Sequence, residues 1–187
     1  MGKGVKEYRI DKRESFRVKE TERIIITARK INVSVQATKA NKVQIWLYGS
    51  SPKNAGFKII SKEDLVIATE EKEEVGNLEM KIAIPENGIK YLSIGTISGN
   101  VKVEGLLPKE LRIKNKDGAV RIKHAPDKES SVYVSTVKAD IQTEFEAACV
   151  EVEAKSVSGK FYNSHKTNGN ETVKFQASTI SGDIFVL

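Results

Sequence analysis

The sequence predicts an all-β protein built as a β-solenoid, and three observations lead there. A Ser-Gly pivot followed by alternating apolar residues recurs in the second half of the chain, as GTISGNVKV (residues 95–103), KSVSGKFYN (155–163) and STISGDIFVL (178–187). Five aligned copies of the pivot lie 19, 21, 20 and 23 residues apart, so one structural unit takes about 20 residues. No stretch sustains the 3.6-residue apolar period of an amphipathic helix, whereas alternation at a period of two is frequent.

The pivots are Gly99, Gly118, Ala139, Gly159 and Gly182. Two and four residues after them come Val101/Val103, Val120/Ile122, Ile141/Thr143, Phe161/Asn163 and Ile184/Val186. A second alternating pair precedes each pivot: Leu92/Ile94, Leu111/Ile113, Val132/Val134, Val150/Val152 and Val173/Phe175. Alternation of this kind gives strands with one buried face. Glycine between them supplies a corner that needs φ > 0 or close backbone approach. Each unit is then strand, corner, strand and return. One unit cannot bury its own apolar face, but stacked units share a core. The period is too short for a propeller blade and too regular for an ordinary sandwich. Residues 91–187 are therefore expected to form a right-handed, single-stranded β-helix, one unit per coil.

The first ninety residues follow a looser pattern. Residues 1–20 read as a lead-in, and 21–90 as a β-strand region continuous with the solenoid in one domain. Ile31, Val33 and Val35 alternate, as do Val43, Ile45 and Leu47, and Leu78, Met80, Ile82 and Ile84. Turn signals separate them at Asn41-Lys42, Ser50-Ser51-Pro52 and Pro85-Glu86-Asn87-Gly88. FKIISKEDLVI (57–67) reads as a hairpin around Ser61-Lys62-Glu63-Asp64, and Glu70 to Glu74 as a charged connection. Antiparallel strands are expected here, capping the first coil, because an open coil presents bare strand edges.

Composition excludes several classes. At 187 residues, 39% hydrophobic and 30% charged, the chain can fill one sizeable core and is neither disordered nor membrane-embedded. Its longest aliphatic run is Ile24-Ile25-Ile26, far short of the roughly 20 apolar residues of a membrane span. No apolar signal region follows the start, and Lys6 stands where acylation of Gly2 would want Ser or Thr. The single Cys149 excludes an intramolecular disulfide and reads as a small packed hydrophobe. A formal charge of +6 and a pI near 9.2 suit polyanionic partners.

The Ser-Gly-Asp-Ile-Phe-Val type of phrase, the step of about 20 residues and the opening segment IIITARKINVSVQATKANKVQIWLYGSS resemble the bacterial "putative adhesin" family of β-strand repeat proteins, over roughly residues 22–187. The resemblance implies a β-helix-like fold and an envelope-associated setting, with no catalytic residue to carry over. As given, the chain lacks the family's N-terminal anchor, so a cytoplasmic setting follows if it is full-length.

Few residues suggest chemistry, and no catalytic, cofactor or metal site is expected. His124 and His165 sit in connecting stretches and read as solvated loop residues. The residue after each pivot is Asn100, Ala119, Asp140, Lys160 or Asp183. Ala and Lys do not belong on the rungs of a metal-binding ladder, and Asn and Asp favour corners by bonding nearby backbone amides. Residues 109–128 hold seven Lys/Arg against three Asp/Glu, while 139–154 hold five acids and no base. Arg112, Lys114, Arg121 and Lys123 alternate with inward residues and are candidates for contact with an anionic polymer. The scattered aromatics give no stacking platform for nucleic acid. The outward row Lys102, Arg121, Gln142, Tyr162 and Phe185 turns aromatic at its end, which makes Tyr162 and Phe185 candidates for a protein contact, touching face to edge. The last coil has no polar cap, so burial by another segment or an edge-to-edge homodimer through it is expected, with Phe185 near the contact. The leading function is a non-catalytic surface or envelope-associated module that binds a cell-wall polymer, glycan or envelope protein. An accessory role in envelope-stress signalling comes second, and a polysaccharide-cleaving β-helix enzyme third.

Overall fold

The computed structural model describes residues 8–17, 22–52, 55–60, 64–69, 77–105, 108–124, 129–146, 150–165 and 173–187, and these hold seventeen β-strands and no helix. In chain order the strands are β1 (Tyr8–Arg17), β2 (Arg23–Lys30), β3 (Asn32–Thr38), β4 (Lys42–Ser51), β5 (Phe57–Ile59), β6 (Leu65–Thr69), β7 (Leu78–Pro85), β8 (Tyr91–Ser98), β9 (Val101–Gly105), β10 (Glu110–Asp117), β11 (Val120–His124), β12 (Ser130–Lys138), β13 (Ile141–Phe145), β14 (Val150–Ser156), β15 (Phe161–Asn163), β16 (Val173–Thr179) and β17 (Ile184–Val186). The readings of Cys149, of Glu70 to Glu74, of Ser61, Lys62 and Glu63 in the hairpin turn, and of residues 1–7 and 18–20 in the lead-in, lie outside the described residues.

Two open sheets result. One has nine strands in the order β1-β4-β7-β3-β9-β11-β13-β17-β15, the other eight in the order β14-β16-β12-β10-β8-β2-β6-β5. The strand before each corner enters the eight-stranded sheet, and the strand after it enters the nine-stranded one. Neighbouring units pair in parallel and in register, so Leu111 lies between Leu92 and Val132, and Val120 between Val101 and Ile141. Every second side chain therefore points at the facing sheet, and these residues form one buried cluster. Phe175, Leu92, Ile94 and Ile24 are fully enclosed there, each worth roughly 1.5–3 kcal/mol of apolar burial.

The region before residue 91 departs from the expected antiparallel cap. β2 and β3 pair in parallel with β8 and β9 and make a sixth unit of the repeat. Antiparallel pairing is confined to β1-β4-β7 and to the hairpin β5-β6. This unit was hidden because Ile31, not glycine, occupies its corner. The rest of its template is present: inward Ile24, Ile26 and Ala28 before the corner, and Val33 and Val35 after it.

The order of the last two units also differs from chain order. The C-terminal pair β16/β17 lies between β12/β13 and β14/β15, so residues 150–163 form the outer unit. The expected dimer through an exposed final coil is thereby corrected. Ile184–Val186 is flanked on both sides by paired strands, and among the described residues the open edge belongs to β14 and β15.

Candidate functional site

The corners are built by close backbone stacking. A Cβ added to Gly99 would lie 2.3 Å from the Ile31 carbonyl oxygen, and one on Gly118 would lie 2.5 Å from that of Gly99. The same test puts Gly182 at 2.1 Å from the Ala139 oxygen and Gly159 at 1.9 Å from the Gly182 oxygen. Gly99, Gly118 and Gly182 also have φ of 130°, 115° and 141°. Gly159 carries no such φ and is required by space alone. The Gly118 amide donates to the Lys138 carbonyl, joining the Ala139 corner to the column.

Side chains reinforce this column. The residue after each corner accepts the backbone N–H of its counterpart one unit further on: Asn32 from Asn100, Asn100 from Ala119, Asp140 from Asp183, and Asp183 from Lys160, at 2.7–2.9 Å. Ala119 breaks the series at Asp140. Lys160, on the outermost unit, has no further unit to receive. A second row escaped the sequence reading. Three residues before each of the five aligned pivots stands a small polar residue: Thr96, Asn115, Thr136, Ser156 or Thr179. Asn115 donates to the carbonyls of Gly99 and Gly118 and accepts from the Thr96 hydroxyl; Ser156 donates to the Gly182 carbonyl. Asn115 and Ser156 thus satisfy corner carbonyls that no strand reaches, and the Thr179 hydroxyl lies 3.4 Å from the Ala139 carbonyl; the Thr136 hydroxyl finds no partner among the described residues. Their fixed spacing from the pivot was the available signal.

The four basic candidates share one unit but not one surface. Leu111 and Val120 point into the same core from opposite sheets, so Arg112 and Lys114 face outward on one side of the molecule and Arg121 and Lys123 on the other. Some are also neutralised. Arg112 pairs with Glu110, which raises its pKa, and its guanidinium lies 4.8 Å from the Tyr133 ring centroid. Lys123 lies 3.3 and 3.8 Å from Glu144 and Glu146. Among the described residues Lys114 and Arg121 have no ion pair.

On the outer face of the nine-stranded sheet, register aligns one residue per strand: Arg13, Trp46, Lys81, Ser34, Lys102, Arg121, Gln142, Phe185 and Tyr162. At the usual strand spacing this row is about 38 Å long. Its first half floors an open groove of about 670 Å³. The Arg13 guanidinium sits 4.4 Å from the Trp46 ring centroid, and the indole N–H donates to Asp11 at 2.9 Å. That bond, with Arg13 beside it, lowers the Asp11 pKa. Tyr48 donates to Glu79, and the Tyr48 hydroxyl raises the pKa of Lys81. At the far end Tyr162 and Phe185 stack at 5.0 Å with 3° between planes, face to face rather than face to edge. In-register parallel strands present their side chains side by side, which aligns the two rings.

The histidines differ from expectation. His124 ends β11 fully buried, beside Gly105 and Phe145 in register, with its Nε2 2.9 Å from the Ser130 hydroxyl. Burial pushes its pKa down to about 4. His165 is half-buried, with Nε2 2.6 Å from the Leu187 oxygen. Among the described residues no cluster of three potential ligands could hold a metal ion.

Residues 81–187 match the family Toastrack DUF4097, more than half of the chain. The chain belongs to the Toastrack DUF4097 family. Among solved structures, this Toastrack chain resembles one described as a putative cell adhesion protein from Clostridium sporogenes ATCC 15579, with a TM-score of 0.70 and 12% identity over 95% of this chain and 99% of that one. It is also similar to a putative adhesin from Bacteroides fragilis NCTC 9343, with a TM-score of 0.43, 16% identity and coverage of 95% and 97%. The second superposition is too loose to carry an argument, and the first establishes a shared fold. No curated protein matches the Toastrack chain.

Proposed function

We propose that this chain is a non-catalytic binding or scaffolding module of the cell surface or envelope, with its two sheets forming the faces of one right-handed β-solenoid in a single domain. The observation that carries the reading is the row of nine outward residues across one continuous sheet. It offers a long, open surface suited to an extended polymer rather than a closed pocket suited to a small substrate. The description of the Clostridium sporogenes protein as a putative cell adhesion protein agrees with it. Lys81 and Arg121 supply positive charge along the row, together with Lys102, which is shared with Glu104 at 2.8 Å, and this fits an anionic cell-wall polymer or glycan. Asp140 and Asp183 are engaged with backbone amides, which weighs against their use in polysaccharide cleavage.

The test is binding to isolated cell walls and to a glycan array as salt is raised. Binding should weaken steeply with ionic strength, as for exposed charges. It should be largely lost when Lys102 and Arg121 are both replaced by Ala. Capture that is indifferent to salt and to this double variant would sink the reading. The stacked Tyr162 and Phe185, both on the outer face of the sheet, favour a second reading, in which the module acts through protein contacts in envelope-stress signalling.

A further inference from the structure

The two ends of the paired sheets are finished differently. One end carries β1 on the nine-stranded sheet and the β5-β6 hairpin on the other. The opposite end stops at β14 and β15, and among the described residues no strand pairs with the outer edge of either. Side chains register the difference. Phe161 stands in the inward column of Ile184, Ile141, Val120 and Val101, all buried, yet it is 44% exposed. Val152 and Ala154 are half-buried where their register partners Phe175 and Ala177 are buried. At the adjoining corner Val157 is 70% and Ile180 55% exposed. Apolar interior and unpaired backbone groups thus meet at one surface, a combination that invites strand addition.

We propose that this end pairs with the same end of a second copy of the chain, β14 against β14 in antiparallel fashion. Charge selects that occupant. Along β14 the outward residues are Glu151, Glu153 and Lys155, and the inward ones Val150, Val152, Ala154 and Ser156. Residues opposite one another in an antiparallel pair share a face, so only registers that match inward to inward extend the core. Placing the two-fold axis at Ala154 sets Glu153 opposite Lys155 of the second copy, and Lys155 opposite its Glu153. Val152 then faces Ser156 on the core side. The acid and the base stand two residues apart, the spacing that this self-complementary contact requires. Both side chains are exposed and able to reach across. Glu153 accepts one hydrogen bond, from Gln176, and Lys155 has no ion pair among the described residues.

Sedimentation equilibrium on the full chain tests this. The wild type should associate reversibly to a dimer. Lys155→Glu sets acid against acid at both symmetric positions and should weaken association about tenfold or more, and Glu153→Lys should do the same with bases. The double variant carrying both changes restores opposite charges and should recover the wild-type constant, a rescue that a loss of folding would not show. Unchanged circular dichroism and thermal unfolding confirm that the single variants are folded. A wild type that stays monomeric at several hundred micromolar overturns the proposal. So does a dimer that ignores the single reversals, or one that the double variant fails to restore.

Discussion

Acidification should destabilise this protein through one buried imidazole. His124 sits inside the core with its pKa pushed from 6.5 down to about 4 by burial. The unfolded chain therefore binds a proton over a pH range in which the folded chain does not. Stability from this group is complete above pH 6.5 and is lost as pH falls towards 4. A displacement of about 2.5 units at about 1.4 kcal/mol each gives a total of roughly 3.5 kcal/mol, of which about 2 is gone by pH 5. Urea denaturation at pH 7.5, 6.0, 5.0 and 4.5 measures the loss, and His124→Leu provides the reference. That variant gives up the Ser130 contact and starts from a lower stability, but it has no proton to gain. Subtracting its curve from the wild type removes the contribution of carboxylates titrating in the same range. The difference should shrink by about 2 kcal/mol between pH 7.5 and 5.0. Parallel curves would refute the reasoning, and would mean that the imidazole is hydrated or ionised in the folded state.

Further outcomes follow from the corners. Gly182→Ala should destabilise by about 3 kcal/mol or more, read from thermal unfolding, because the added methyl meets the Ala139 carbonyl on a backbone at φ 141°; Ala139→Gly should cost about 1 kcal/mol or less. Ala119→Asn should stabilise by roughly 0.5–1 kcal/mol in chemical denaturation, since it supplies the missing acceptor for the Asp140 amide, and a neutral or negative result would remove the rung from the argument. Thr136→Val should be neutral or stabilising because the buried Thr136 hydroxyl has no partner among the described residues, whereas Asn115→Ala, which orphans two corner carbonyls, should cost on the order of 2–3 kcal/mol.

The strands were legible because burial alternates with the sequence along most of them: Leu111, Ile113, Val120 and Ile122 are buried, and Arg112, Lys114, Arg121 and Lys123 are exposed. The hairpin at residues 57–67 was legible from its polar turn between apolar runs. The unit at residues 22–38 was not, because Ile31 fills a corner whose usual mark is glycine. The exchange of the last two units was obscured for a different reason. Their inward residues are nearly equivalent, and stacking order is set by which edge each unit finds, a long-range property absent from local pattern. One trace of it was present: Asp183 can receive a further unit and Lys160 cannot. The splitting of Arg112 and Lys114 from Arg121 and Lys123 could have been foreseen, since a corner at Gly118 separates the two pairs and sends them to opposite sheets. The burial of His124 was missed because its strand ends only at that residue, where a connection had been expected.

The exchanged order of the last units has a temporal side. A ribosome delivers residues 150–163 before 173–187, so the earlier unit meets the exposed edge of β12 and β13 while its eventual neighbour is still being made. Docked there, it would place the Lys160 amide on the Asp140 carboxylate, the same acceptor that Asp183 holds in the finished protein. The two arrangements compete for one rung. Growth by simple addition thus leads to a different molecule, and the native one requires the late-arriving strands to take an inner berth that the earlier unit has either vacated or never occupied.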